Sequence, residues 1–129
     1  MAIVRDVMST NLLAVEATAS LTEAAAQMHA RRVGAALVLD GERLLGILTE
    51  RDVLRAVATG GVEGKPVSEW MTHHPETVEP DATAGHAAAL MIHGGFRHLP
   101  VLEAGQPIGI VSIRDLVRVV IDDESPRGV

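Results

Sequence analysis

GILTERD at residues 46–52 returns as GIVSIRD at residues 109–115, with Gly46 falling on Gly109 and Asp52 on Asp115. In the same register, with no gap, Val4 falls on Val67, Met8 on Met71, Val15-Glu16 on Val78-Glu79, and Ala24-Ala25-Ala26 on Ala87-Ala88-Ala89. Met28 then falls on Met91, Val38-Leu39 on Val101-Leu102, and Arg55 on Arg118. A register held over that distance is the mark of a tandem repeat, which organises every finer reading of the chain.

Each copy reads as short helix, strand, helix, two strands, helix. In the first, TASLTEAAAQMHARR (18–32) has Ser20 as N-cap and Glu23 three residues on, the pattern of a capping box. Leu21, Ala24, Ala25 and Met28 then share one face at helical spacing, and the small residues allow close packing. AALVLD (35–40) is a short apolar run suited to a buried strand, and DGER (40–43) turns it into LLGIL (44–48). ERDVLRAV (50–57) gathers Val53, Leu54 and Val57 on one side of the last helix.

TGGVEGKP (59–66), glycine-rich and closed by Pro66, is the hinge between copies. The second copy follows the same plan: VSEWM (67–71), a strand near Thr77-Val78, the helix TAGHAAALMIH (83–93) ended by Gly94-Gly95, the strands RHLPVL (97–102) and PIGIV (107–111), and the helix IRDLVRVVI (113–121). The expected organisation is one module over 1–129, with repeats at 3–58 and 66–121 and a polar, fraying tail DDESPRGV at 122–129.

With 129 residues the chain can bury one sizeable core, and half-chain units are marginal unless they share it. Hydrophobic content of 47% argues against disorder. No apolar run approaches the roughly 20 residues of a membrane span, and MAIVRDVMSTN (1–11) lacks a basic-then-apolar signal pattern. The absence of cysteine removes disulfide and thiol chemistry, which suits a cytoplasmic protein. A net charge of −6, with one Phe and one Trp, disfavours a general nucleic-acid binder, which needs a basic footprint and stacking platforms.

Metal and catalytic chemistry find no support. His73 and His74 are adjacent and point apart in most conformations, and His86 and His93 are two helical turns apart without further ligands near them. No nucleophile elbow, Walker-type loop or paired-glycine fingerprint occurs, and Gly60-Gly61-x-x-Gly64 is linker composition.

The unit of Met-Ser/Thr near the start, apolar ALVLD or HLPVL, then Gly-Ile-x-Thr/Ser-x-x-Asp resembles the CBS domain, named for cystathionine β-synthase. The resemblance covers about residues 3 to 121 and holds in both copies. It implies an α/β (α+β) fold: a tandem CBS pair of two β-α-β-β-α repeats related by a pseudo-twofold axis. It also implies a regulatory module whose crevices between repeats take AMP, ADP, ATP or S-adenosylmethionine, with no other cofactor and no enzymatic activity. Homodimers and an effector protein of unknown identity are the partners implied.

Carried over residue by residue, the resemblance makes Asp52 and Asp115 the carboxylates for the ribose hydroxyls, with Thr49 and Ser112 near ribose or phosphate. It pairs Thr49 and Asp52 with Phe96, Arg97 and His98 of the other copy, and Ser112 and Asp115 with Val33, Gly34 and Ala35. Thr10 and Thr72 border the base in this scheme. The two crevices are then unequal, since Arg97 and His98 offer phosphate donors and Gly34 and Ala35 offer none. Arg51 and Arg114 are read as solvent-facing.

Thr49-x-x-Asp52 and Ser112-x-x-Asp115 also have a purely structural explanation. Thr or Ser three residues before an acid at a helix start is a capping arrangement, and an acid in the first turn complements the helix dipole. Both roles can coexist. The alternatives to a ligand sensor are therefore a ligand-free oligomerisation or interaction module, and, more distantly, an enzyme.

Overall fold

The computed structural model describes residues 2–124. In chain order the elements are α1 (Val4–Val7), β1 (Ala14–Val15), α2 (Leu21–Arg31), β2 (Ala35–Asp40), β3 (Arg43–Thr49) and α3 (Glu50–Ala58). A 3-10 turn at Val67–Glu69 follows, then β4 (Thr72–His73), α4 (Ala84–Gly94), β5 (His98–Glu103), β6 (Gln106–Ser112) and α5 (Ile113–Glu124). The expected tail from residue 125 on lies outside the described residues, and residues 122–124 continue α5.

The local causes are those the side chains supply. Ser20 Oγ accepts the Glu23 N–H at 3.1 Å and starts α2; Thr83 Oγ1 accepts the His86 N–H at 3.0 Å and starts α4. Both helices stop where a residue turns into the left-handed region, Arg32 after α2 and Gly95 after α4. Leu21, Ala24 and Met28 are buried, so the expected apolar face of α2 does face a core. The β2–β3 and β5–β6 hairpins are antiparallel, with a register shift at Val38/Leu39 and again at the equivalent pair Val101/Leu102.

The chain divides into two compact units that do not coincide with the sequence copies. One holds Asn11–Pro75; the other holds the chain up to Thr10 together with that from Glu76 onward. In the first unit the sheet order is β1-β2-β3-β4, with β1 parallel to β2 and the other pairs antiparallel. β4 belongs to the second copy by sequence, yet pairs with β3 of the first at Gly46↔His73 and Ile47↔Thr72. In the second unit the β5–β6 hairpin is flanked by a parallel bridge, Val78↔Val101, and an antiparallel one, Ser9↔Ile110.

The opening segments are thus exchanged between copies. The Val4 N–H donates to the Ala82 carbonyl at 2.8 Å, and the N–H of Val67, its counterpart in the second copy, donates to the Ala19 carbonyl at 2.8 Å. Each unit has its own apolar cluster: Leu21, Val38, Leu48, Val67 and Met71 in one, and Val4, Met91, Leu99, Val101 and Val111 in the other. Val4 and Val67, wholly buried, anchor the exchanged segments.

The exchange explains the glycine of each Gly-Ile. A Cβ on Gly46 would lie 2.6 Å from the Thr72 carbonyl oxygen and 2.8 Å from Met71 Sδ. A Cβ on Gly109 would lie 2.5 Å from Met8 Sδ and 3.1 Å from the Ser9 carbonyl oxygen. Glycine at these two strand positions lets the incoming methionine and its neighbour lie directly on the backbone.

Candidate functional site

Thr49 ends β3 and caps α3, and this junction builds the site. Asp52 Oδ2 accepts the Thr49 N–H at 2.9 Å and the Thr49 hydroxyl at 3.0 Å, while Thr49 Oγ1 accepts the Asp52 N–H at 3.3 Å. The reciprocal capping box leaves Asp52 only 8% exposed. Its other oxygen, Oδ1, accepts from Arg55 Nη2 at 3.0 Å. The Glu50 N–H donates to the Gly34 carbonyl at 3.0 Å, and Ala35 is the register partner of Thr49. Val33, Gly34 and Ala35 therefore lie beside the cap, and Thr72 stands exposed on β4 opposite Ile47.

The other unit repeats the arrangement. The Ser112 N–H and hydroxyl donate to Asp115 Oδ2, both at 2.9 Å, and the Asp115 N–H donates to Ser112 Oγ at 3.1 Å. The Ile113 N–H donates to the Arg97 carbonyl at 2.9 Å, and His98 is the register partner of Ser112. Arg97 is exposed, His98 and Phe96 are half-buried, and Thr10 is exposed one residue past the Ser9 bridge to β6. Arg51 and Arg114 are exposed.

Each unit thus brings together six of the sequence-derived positions: Val33, Gly34, Ala35, Thr49, Asp52 and Thr72 in one, and Phe96, Arg97, His98, Ser112, Asp115 and Thr10 in the other. Within a unit Asp52 neighbours Gly34 and Ala35, and Asp115 neighbours Arg97 and His98. Chemically, each cap places a carboxylate and a hydroxyl at a helix N-terminus. The carboxylate accepts hydroxyl donors, and the first-turn N–H groups favour anions.

Arg55 and Trp70 were not among the residues read from the sequence as part of the site. The Arg55 guanidinium pairs with Asp52 and lies 5.5 Å from the centroid of the Trp70 ring, with Lys65 Nζ 4.8 Å from the same ring. The available signals were the three-residue spacing from Asp52 to Arg55 on one helix and the presence of only one Trp in the chain.

The model of the CBS domain matches residues 4–59 and 67–122. The chain belongs to the CBS domain family. It is 36% identical over 121 residues to an uncharacterized 17.7 kDa protein of Acidianus ambivalens, covering 92% of this chain and 73% of that protein. It is 42% identical over 104 residues to the CBS domain-containing protein CBSCBSPB1 of Arabidopsis thaliana, covering 78% of this chain but only 19% of that much longer protein.

Among solved structures, the CBS domain pair of protein MJ0100, in complex with 5′-methylthioadenosine and S-adenosyl-L-methionine, matches with a TM-score of 0.89 at 25% identity. That match covers 96% of this chain and 99% of the other. The CBS domain protein PAE2072 of Pyrobaculum aerophilum, complexed with AMP, matches with a TM-score of 0.85 at 27% identity, covering 95% and 97%. Among the described residues no helix is long and apolar enough to cross a membrane.

Proposed function

We propose that this CBS pair is a cytoplasmic regulatory module that binds an adenosine-containing ligand, AMP, ADP, ATP or S-adenosylmethionine, and passes occupancy on to a partner protein. Binding, not turnover, is its activity in this reading. The observation that carries it is the repeated cap, Thr49/Asp52 and Ser112/Asp115, in a chain whose solved relatives hold AMP or S-adenosylmethionine. A carboxylate at the helix start suits two adjacent ribose hydroxyls.

In the same proposal Asp52 and Thr49 act with Phe96, Arg97 and His98 of the other copy, and Asp115 and Ser112 with Val33, Gly34 and Ala35. Thr72 and Thr10 border the base. The first set carries the phosphate donors, so the two sites differ in their preference for phosphorylated ligands.

Thermal unfolding with AMP, ATP and S-adenosylmethionine tests the reading. At about 100 times its Kd a ligand adds roughly 2.7 kcal/mol per site, which for a chain of this size raises Tm by several degrees. A 2′-deoxy analogue should do less. No shift with any of these ligands at millimolar concentration would overturn it.

A second reading, a ligand-free oligomerisation module, is favoured by two observations. The aspartates are already committed to caps through Oδ2, and α3 and α5 carry exposed apolar side chains, among them Leu54 at 67% and Ile121 at 57%. A dimer that shows no nucleotide-dependent Tm shift would decide for this reading.

A further inference from the structure

The two aspartates are capped alike but differ in their second oxygen. Asp52 Oδ1 accepts from Arg55 Nη2 at 3.0 Å. Among the described residues Asp115 receives no guanidinium, although Arg118 occupies the position of Arg55 in the second copy. The physical reason lies in the exchanged segment. Arg55 rests on the Trp70 ring and reaches the Trp70 carbonyl at 3.5 Å, whereas the positions equivalent to Trp70 and Lys65 are Val7 and Ala2. Arg118 has no tryptophan to lie on.

Asp52 Oδ2 is held by the Thr49 N–H and hydroxyl, so a vicinal diol that grips the carboxylate with both hydroxyls must take Oδ1. That oxygen faces a guanidinium whose side chain is 57% exposed, and an ion pair so exposed is weak and readily opened. Released from Asp52, the Arg55 charge stays next to Trp70. Lys65 lies over the same ring from the end of the glycine-rich linker, and its ammonium reaches the Ala56 carbonyl of α3 at 3.5 Å.

Building on the nucleoside-binding reading, we propose that Arg55 is a resident competitor for ligand hydroxyls at Asp52, and that its release is read at Trp70 and the linker. Among the described residues the Asp115 site has no such guanidinium competitor, and the chain has no second tryptophan to report on it. One site is thus wired to the linker and the other binds silently.

The test uses the full chain carrying Asp115→Asn, which keeps an acceptor for the cap, with and without Arg55→Met. Adenosine is titrated by calorimetry, and the emission of Trp70 is followed in parallel. Arg55→Met should tighten adenosine binding about twofold to fivefold, the range an exposed ion pair can supply. Trp70 emission should shift over the same concentrations as the heat when Arg55 is present, and stay flat in Arg55→Met. Arg118→Met should change neither.

Equal or weaker binding by Arg55→Met, with heat released in both, would overturn the competition while leaving nucleoside binding intact. Heat without any change at Trp70 would overturn the readout. Heat in the unmodified chain that vanishes with Asp115→Asn would show that Asp52 takes no ligand and end the proposal. No heat from any of the chains would end this inference at Asp52, while the Tm shifts with AMP, ATP and S-adenosylmethionine judge the ligand-binding reading separately.

Discussion

Arg32 and Gly95 close equivalent helices in the same left-handed turn, with φ of 55° and 73°. The turn is needed in both. The Val33 N–H reaches back to the Met28 carbonyl at 3.0 Å and the Phe96 N–H to the Met91 carbonyl at 3.2 Å, aiming the chain into β2 and β5. Glycine adopts this conformation without penalty, and arginine does not.

Arg32→Gly should therefore stabilise the protein by about 0.5–1 kcal/mol, a rise of roughly 2–5 °C in Tm. Gly95→Ala should lose a similar amount. No atom lies within 4 Å of the added Cβ, so the cost is conformational alone. Thermal melts of the two variants check both signs.

The caps and the proposed ligand contacts separate in the aspartate variants. Asp52→Ala and Asp115→Ala should each lower the ligand-free stability by about 0.5–2 kcal/mol through loss of the cap. If Asp52 also holds ribose beside Arg97 and His98, its nucleotide-induced increment should shrink, by about 1.5–3 kcal/mol of binding, more than tenfold in Kd. Asp115→Ala should weaken ATP less. Calorimetric titration of ATP and adenosine against both variants decides it. A larger loss for Asp115→Ala with ATP would favour the within-unit neighbours, in which Asp115 is the one next to Arg97 and His98. Equal losses would remove the proposed inequality of the two sites.

Gly46→Ala should destabilise more than Gly109→Ala. The first Cβ meets a backbone carbonyl at 2.6 Å, whereas the second meets chiefly the end of the flexible Met8 side chain, with backbone at 3.1 Å. Overpacking of this kind costs about 1–3 kcal/mol, and Gly109→Ala should fall at the low end of that range. Chemical denaturation of both variants measures the difference.

Leu54, Val57, Val117 and Ile121 leave apolar surface on α3 and α5, which a second copy of the chain would cover. Light scattering at micromolar concentration should give twice the chain mass, and Leu54→Lys or Val117→Lys should shift it toward the monomer. A monomeric mass for the unmodified protein would remove the dimer.

Much of this was legible in the residues. Ser20 and Glu23 marked the start of α2, the run from Ala35 to Asp40 marked β2, and Thr49-x-x-Asp52 marked both a cap and a candidate site. Periodicity names an element but not the copy it joins. Val4 and Val67 carry the same apolar signal, which is satisfied equally by packing on one's own strands or on the other copy's. The exchange was therefore invisible, and with it the reason for Gly46 and the seat of Arg55 on Trp70. The expected face of Val53, Leu54 and Val57 illustrates the same limit. Spacing grouped them, but only Val53 is packed against the core, while Leu54 and Val57 face outward.

The exchanged segments also set an order of completion during synthesis. Everything from Asn11 to Pro75 is contiguous, so that unit has all its strands once Pro75 has emerged. The segment ending at Thr10 is made before Ala82 and Ile110, on which it docks, and must wait for them. Long-range closure of this kind is slow. A nascent chain is thus held with a finished Asn11–Pro75 unit and an uncovered Val4 until the β5–β6 hairpin is made.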